Sequence, residues 1–183
     1  MCALYITGGS PCWLWLAHVA VYRVATSTTS TSDHVPRCWS RWTPLGAQVL
    51  SLHSLGGIVN LAPLTTMTSL RDLDLSWCIC LQPRMMPNLH RLHRLLLRGC
   101  EQVDDSLCTA LCEGSEPELQ ELDVAYTRLS DDGLRTLAAR CPALRKLAVA
   151  QNKDNLWSIG NCTEAGLCEF TRLRPDVQLV AIC

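Results

Sequence analysis

The chain has 183 residues, a formal net charge of −1, and 14 Arg among its 16 basic residues. That balance argues against the basic stripe of a dedicated nucleic-acid binder. The length suits one domain or one domain with a tail. Phe170 is the single Phe, so Leu, Val and Ala must build the core.

Residues 1–46 lie outside any repeat. The apolar run from Cys12 to Tyr22 is interrupted by His18 and is shorter than the roughly 20 residues of a membrane span. No basic residue precedes Arg23, whereas a signal peptide wants positive charge ahead of its apolar region. No membrane association is expected, with a cleaved signal or anchor as the alternative. Thr26 to Ser32 reads as a polar low-complexity linker. Trp39 and Trp42 follow, with Arg37 and Arg41. Residues 1–69 carry only four charged side chains, Arg23, Asp33, Arg37 and Arg41. Such a segment is expected to be buried against something, or poorly ordered or truncated.

Beyond residue 46 one apolar spacing recurs. L-x-x-L-x-L occurs at Leu70-Leu73-Leu75, Leu92-Leu95-Leu97, Leu119-Leu122-Val124 and Leu144-Leu147-Val149. A weaker copy precedes them at Ala47-Leu50-Leu52, and a degenerate one follows at Val177-Val180-Ile182. The steps between copies are 23, 22, 27, 25 and 33 residues. Recurrence at such an interval marks a repeat architecture. The last two apolar residues of each copy are two apart, so both point to one side of a short strand. A strand this short buries that side only by stacking on the next copy, in parallel, with a crossover between.

The crossovers carry helix signals. Ser130 is placed as an N-cap, with Asp131 and Asp132 in the first turn where the helix dipole favours negative charge. Leu134, Leu137 and Ala138 form the inward stripe, and Pro142 stops the helix. Helices are expected at 103–113, 129–141 and 163–173, the last opened by Thr163. Gln82 to Asn88 holds two prolines and reads as a loop or short turn. Gln151 to Asn161 reads as an insertion at the edge of the strand face. The final strand carries no polar cap, and its exposed end is expected to be covered by a partner or to mark a fragment.

LRDLDLSWC, HRLLLRGC and LSDDGLRTLAARCPALRKLAV resemble the cysteine-containing leucine-rich repeat, best known from F-box/leucine-rich-repeat proteins. The resemblance covers about residues 68–183. Thr127 and Asn152 stand where that subtype prefers Cys, and no F-box pattern is evident before the repeats. The resemblance implies an α/β fold. It would be a right-handed leucine-rich-repeat solenoid with short parallel strands on the concave face and helices on the convex face. A non-repeat segment, 1–46, would precede a repeat domain, 47–183, of five to six repeats.

Twelve cysteines would suggest disulfides in a secreted chain. Here Cys78 and Cys100 share one repeat position after the strand, and Cys141 marks the Cys-Pro junction. They are read as small buried residues, reduced, in the cytoplasm or nucleus. His90 and His93 near Cys78, Cys80 and Cys100 do not make a convergent zinc set, because C-x-C side chains diverge in an extended chain. Cys108 and Cys112 read as core stripe. No nucleophile elbow or phosphate loop is present, so no catalytic residue, metal or cofactor is expected.

The strand face remains. Its first outward column reads Asp72, Arg94, Glu121, Lys146, alternating in sign between strands about 4.8 Å apart. This is either a ladder that keeps strands in register or a charged recognition surface. The second column reads Asp74, Leu96, Asp123, Ala148, with Trp77 and Tyr126 further along. Aromatics beside carboxylates suit a peptide bearing Arg or Lys. Arg98, and Trp157 in the insertion, complete the candidate set. The expected function is protein–protein recognition. By resemblance it would be substrate recognition for an SCF-type E3 ubiquitin ligase adaptor contacting a ligase scaffold subunit; the rival is a plain recognition scaffold. A metal- or thiol-dependent enzyme is the rival from another class.

Overall fold

A computed structural model of the chain describes residues 48–53, 61, 64, 67–81, 91–112, 117–150 and 161–182, together with the backbone of two strands at 3–6 and 21–24. One parallel sheet runs in strict chain order. Its strands are β1 (Ala3–Ile6), β2 (Val21–Val24), β3 (Val49–Ser51), β4 (Asp72–Asp74), β5 (Arg94–Leu96), β6 (Glu121–Val124), β7 (Lys146–Ala150) and β8 (Gln178–Ile182). Side chains are described in the six strands from β3 onward. Helices α1 (Ser106–Cys112), α2 (Asp131–Arg140) and α3 (Glu164–Leu173) lie in the crossovers before β6, β7 and β8.

Each strand is three to five residues long from β3 to β8, too short to stand alone. Stacking solves this. Leu50, Leu73, Leu95, Leu122 and Leu147 are successive register partners, and each is at most 5% exposed. Leu52, Leu75, Leu97, Val124 and Val149 form a second buried row. Burying one such side chain contributes about 1.5–3 kcal/mol, and the rows join into one cluster that also takes in Leu107, Leu134, Leu137 and Phe170. The weak copy at Ala47-Leu50-Leu52 is therefore in register, with Ala47 outside the described residues.

The degenerate last copy is corrected. Val177 is buried as expected, but Leu147 pairs with Leu179 and Val149 with Ala181, not with Val180 and Ile182. The chain here has one residue fewer between the first apolar position and the strand. A one-residue shift in a strand exchanges its two faces, so Leu179 packs on the core while Val180 joins the outward column beside Ala148.

The caps form as the residues require. The Ser130 hydroxyl accepts from the Asp132 N–H, and the Thr163 hydroxyl from the Gly166 N–H. α1 is shorter than expected. Its lead-in stays outside the helix, and the Asp104 carboxylate accepts from the Ser106 N–H at 3.0 Å and from the Ser106 hydroxyl at 2.5 Å. These bonds hold the Asp104 carboxyl below its ordinary pKa.

Successive crossovers are bracketed to each other by carboxylates. Asp105 accepts from the Ser130 N–H at 2.8 Å and its hydroxyl at 2.5 Å. One repeat later Asp131 does the same for Thr163, at 2.8 and 2.6 Å. Each bracket passes directly over a helical glycine. A β-carbon at Gly133 would overlap the Asp105 carboxylate and Leu129, and one at Gly166 would overlap the Asp131 carboxylate. Gly133 and Gly166, each three residues after the N-cap, are thus needed for close approach.

Arg174 replaces the cysteine of the Cys-Pro junction. Its guanidinium donates back to the Cys141 carbonyl at 2.8 Å, to Leu144 at 3.0 Å and to Pro142 at 3.2 Å. The Asp176 carboxylate binds its other edge at 2.9 Å. The end of α2 leaves carbonyls without helical partners, and this one side chain satisfies the turn that follows.

Candidate functional site

Alternation along each strand puts the residues between the buried rows on the opposite side of the sheet. In the first outward column Asp72, Arg94, Glu121 and Lys146 are successive register neighbours. Glu121 carries the ion pairs, taking Arg94 Nε at 3.0 Å and Lys146 Nζ at 2.7 Å. Arg94 and Lys146 are nearly half exposed, so each pair contributes about 0–1 kcal/mol. Just before the strands, Glu118 pairs with Arg71 at 3.2 Å and lies 3.3 Å from His93 Nε2.

In the second column both carboxylates are engaged locally. Asp74 Oδ1 accepts from the Ser76 N–H at 3.0 Å and its Oδ2 from the Ser51 hydroxyl at 3.3 Å. Asp123 Oδ1 accepts from the Ala125 N–H at 3.0 Å. These are turn caps at the strand exits. Burial pushes the Asp123 carboxyl above its ordinary pKa, against the Ala125 N–H and the charge of Arg98, which pull it down. Leu96 lies between the two in the register.

The residue after each capped turn, and Gly99 at the same repeat position after Leu96, has left-handed backbone. Trp77 has φ 64°, Gly99 φ 71° and Tyr126 φ 58°. Glycine adopts this freely. For a bulky residue it costs about 1–2 kcal/mol, and such strain concentrates at functional positions. Gly99 serves a second purpose: a β-carbon there would run into the indole of Trp77. The Trp77 ring therefore crosses the glycine and stacks on Tyr126, with centroids 6.4 Å apart and planes 24° from parallel. The Arg98 guanidinium sits 5.6 Å from the Tyr126 centroid, within cation–π range. Trp77 remains 46% exposed. The ledge spans three repeats.

The structure thus brings Trp77, Arg98 and Tyr126 together, with Asp74 and Asp123 at the turns beneath them. Asp72, Arg94, Glu121 and Lys146 form the neighbouring ladder. Trp157 lies outside the described residues. The sequence offers Trp77, Arg98 and Tyr126 as separate candidates but not their stacking; the usable signal is Gly99 at the same repeat position between the two aromatics.

Cys78 and Cys100, after β4 and β5, and Cys162, just ahead of α3, turn inward. The Cys78 thiol donates to the Leu52 carbonyl at 3.3 Å, Cys100 to Leu75 at 3.1 Å and Cys162 to Leu129 at 3.2 Å. Burial pushes the Cys100 and Cys162 thiols up to about 12, which opposes the thiolate needed for nucleophilic or metal chemistry. Thr127, at the repeat position of Cys78 and Cys100, instead donates its buried hydroxyl within its own repeat, to the Val124 carbonyl at 2.7 Å. Cys108 is buried as core stripe. His90 and the Cys112 side chain lie outside the description. Among the described residues no three His, Cys, Asp or Glu converge as a metal site would require.

A leucine-rich-repeat family model matches residues 117–138, the segment from the end of one crossover through β6 into α2. A curated relative, antagonist of mitotic exit network protein 1 of Saccharomyces cerevisiae, is 28% identical over 126 residues, with 54% of this chain covered. The chain spans 22% of that relative's length. Among solved structures, leiomodin-1 actin-binding site 2 aligns over 73% of this chain and 69% of its own, at 13% identity and a TM-score of 0.40. The repeat match and the register of the leucine rows together support a leucine-rich-repeat protein.

Proposed function

We propose that this chain is a protein-interaction scaffold that captures a partner on its strand face, through the ledge of Trp77, Arg98 and Tyr126. The carrying observation is that two aromatic residues are held in left-handed backbone and stacked over a glycine. Tryptophan, tyrosine and arginine are the side chains that most often anchor interfaces. The chain would act without catalysis or cofactor, in the cytoplasm or nucleus. The solenoid would be right-handed, its helices on the convex side. The yeast relative's name, an antagonist of a mitotic exit network, is in keeping with a regulator that works by binding.

The resemblance to cysteine-containing repeats supports a finer reading, the substrate-recognition part of an SCF-type ubiquitin ligase adaptor. The rival is a recognition scaffold with no ligase role. Affinity capture from cells with the wild-type chain and with Trp77→Ala/Tyr126→Ala tests both. Partners lost from the double variant support the ledge; partners retained at full level refute it. A ligase scaffold subunit captured by both chains supports the adaptor reading, and its absence leaves the plain scaffold.

A further inference from the structure

Arg98 differs from Arg94 and Lys146, the cations of the first outward column. Arg94 and Lys146 are neutralised by Glu121, and Arg71 by Glu118. The Arg98 carbonyl accepts from the Trp77 N–H at 2.6 Å, but among the described residues its guanidinium finds no hydrogen-bond or ion-pair partner, and Nε is buried with no acceptor. The guanidinium lies against the Tyr126 ring. A ring face attracts the charge but takes none of the N–H donors directionally, and a guanidinium has five of them. Asp123 is near enough to feel the charge, yet its cap on Ala125 turns it to its own turn.

We infer that Arg98 is the anchor for a single carboxylate on an extended peptide segment of a partner protein, seated between the Trp77–Tyr126 ledge and the second outward column. This rests on the strand-face reading above and names the chemistry it selects. With Nε buried, a carboxylate would take the guanidinium end-on, through its two Nη groups, and the two rings flank it with apolar area. Asp74 and Asp123 restrict the choice. An acidic run would meet them as like charges, whereas one acidic residue over Arg98 would not. The preference is therefore acidic at one position, and it opposes the basic peptide that Asp74 and Asp123 suggest when read from sequence alone.

The test is selection of a random-peptide display library on the immobilised full chain, followed by titration of a synthetic selected peptide. One position enriched in Asp or Glu is expected. Changing that residue to its amide should weaken binding to the wild-type chain about ten- to a hundredfold, and Arg98→Gln should do the same. Arg98→Lys, which keeps the charge and loses the fork, should recover only part. Because the amide substitution is made in the peptide, the test stands even where an Arg98 variant does not fold. Enrichment of basic residues, an acid-independent consensus, or no enrichment overturns the inference. Peptides indifferent to Arg98→Gln but weakened by Trp77→Ala would overturn it and leave the strand-face reading intact. Peptides indifferent to both would remove that reading as well.

Discussion

Replacing a helical glycine by alanine ordinarily gains about 0.5–1 kcal/mol. At Gly133 the sign should invert. The new β-carbon overlaps the Asp105 carboxylate and the end of Leu129. Leu129 is buried and can give little, and Asp105, which holds the nearest atom, must move as well. Its displacement gives up the bonds to the Ser130 N–H and hydroxyl. Hydrogen bonds to a charged group contribute about 1.5–3 kcal/mol each, less where solvent reaches them. With the helix gain set against that loss, Gly133→Ala should destabilise by about 1–3 kcal/mol. In urea, with a slope of about 1–3 kcal/mol per molar, the midpoint should fall by roughly 1 M. The double variant Asp105→Ala/Gly133→Ala removes the collision with the carboxylate and leaves the one with Leu129. The alanine should then cost less than it does beside Asp105, and the cycle should show a coupling of about 1 kcal/mol or more. A Gly133→Ala midpoint at or above wild type, or a cycle without coupling, would refute the bracket as the reason for the glycine.

Arg174→Ala should destabilise by about 2–4 kcal/mol in the same assay, because it strips the acceptors' partner from the turn after α2; a change near zero would show that water replaces it freely. Site-resolved alkylation of the native protein should label the exposed Cys80 and Cys168 quickly and the buried Cys78, Cys100, Cys108, Cys141 and Cys162 slowly. Equal labelling would contradict the buried-thiol reading. Asp123 has a folded pKa raised by burial, so its contribution to stability is greatest below the unfolded value and declines as pH rises through the folded one. The stability of Asp123→Asn relative to wild type should therefore rise with pH through that acid range and then level off. A difference that falls with pH would reverse the assignment.

The leucine rows were legible because a strand's two faces impose a strict period, and Leu73, Leu95, Leu122 and Leu147 obey it. Ser130 and Thr163 were legible as caps for an equally local reason: a short hydroxyl before acidic first-turn residues. What escaped was contact between repeats. Arg174 looks like one more surface arginine until the turn at Cys141 is placed beneath it. Gly133 and Gly166 look like poor helix formers until Asp105 and Asp131 lie over them. The last strand slipped by one because Val177, Val180 and Ile182 mimic the spacing while the chain is one residue shorter there. Asp74 and Asp123 read as open binding groups, since spacing says nothing of the N–H groups they cap. Trp77 and Tyr126 were named as candidates, but their stacking depends on Gly99, a residue of the repeat between them.

The most direct test of recognition through the strand face is hydrogen exchange on the chain with and without a captured partner. Protection concentrated at residues 72–77, 94–99 and 121–126 is the predicted result. Protection confined to α2 and α3, with those three segments unchanged, would contradict it.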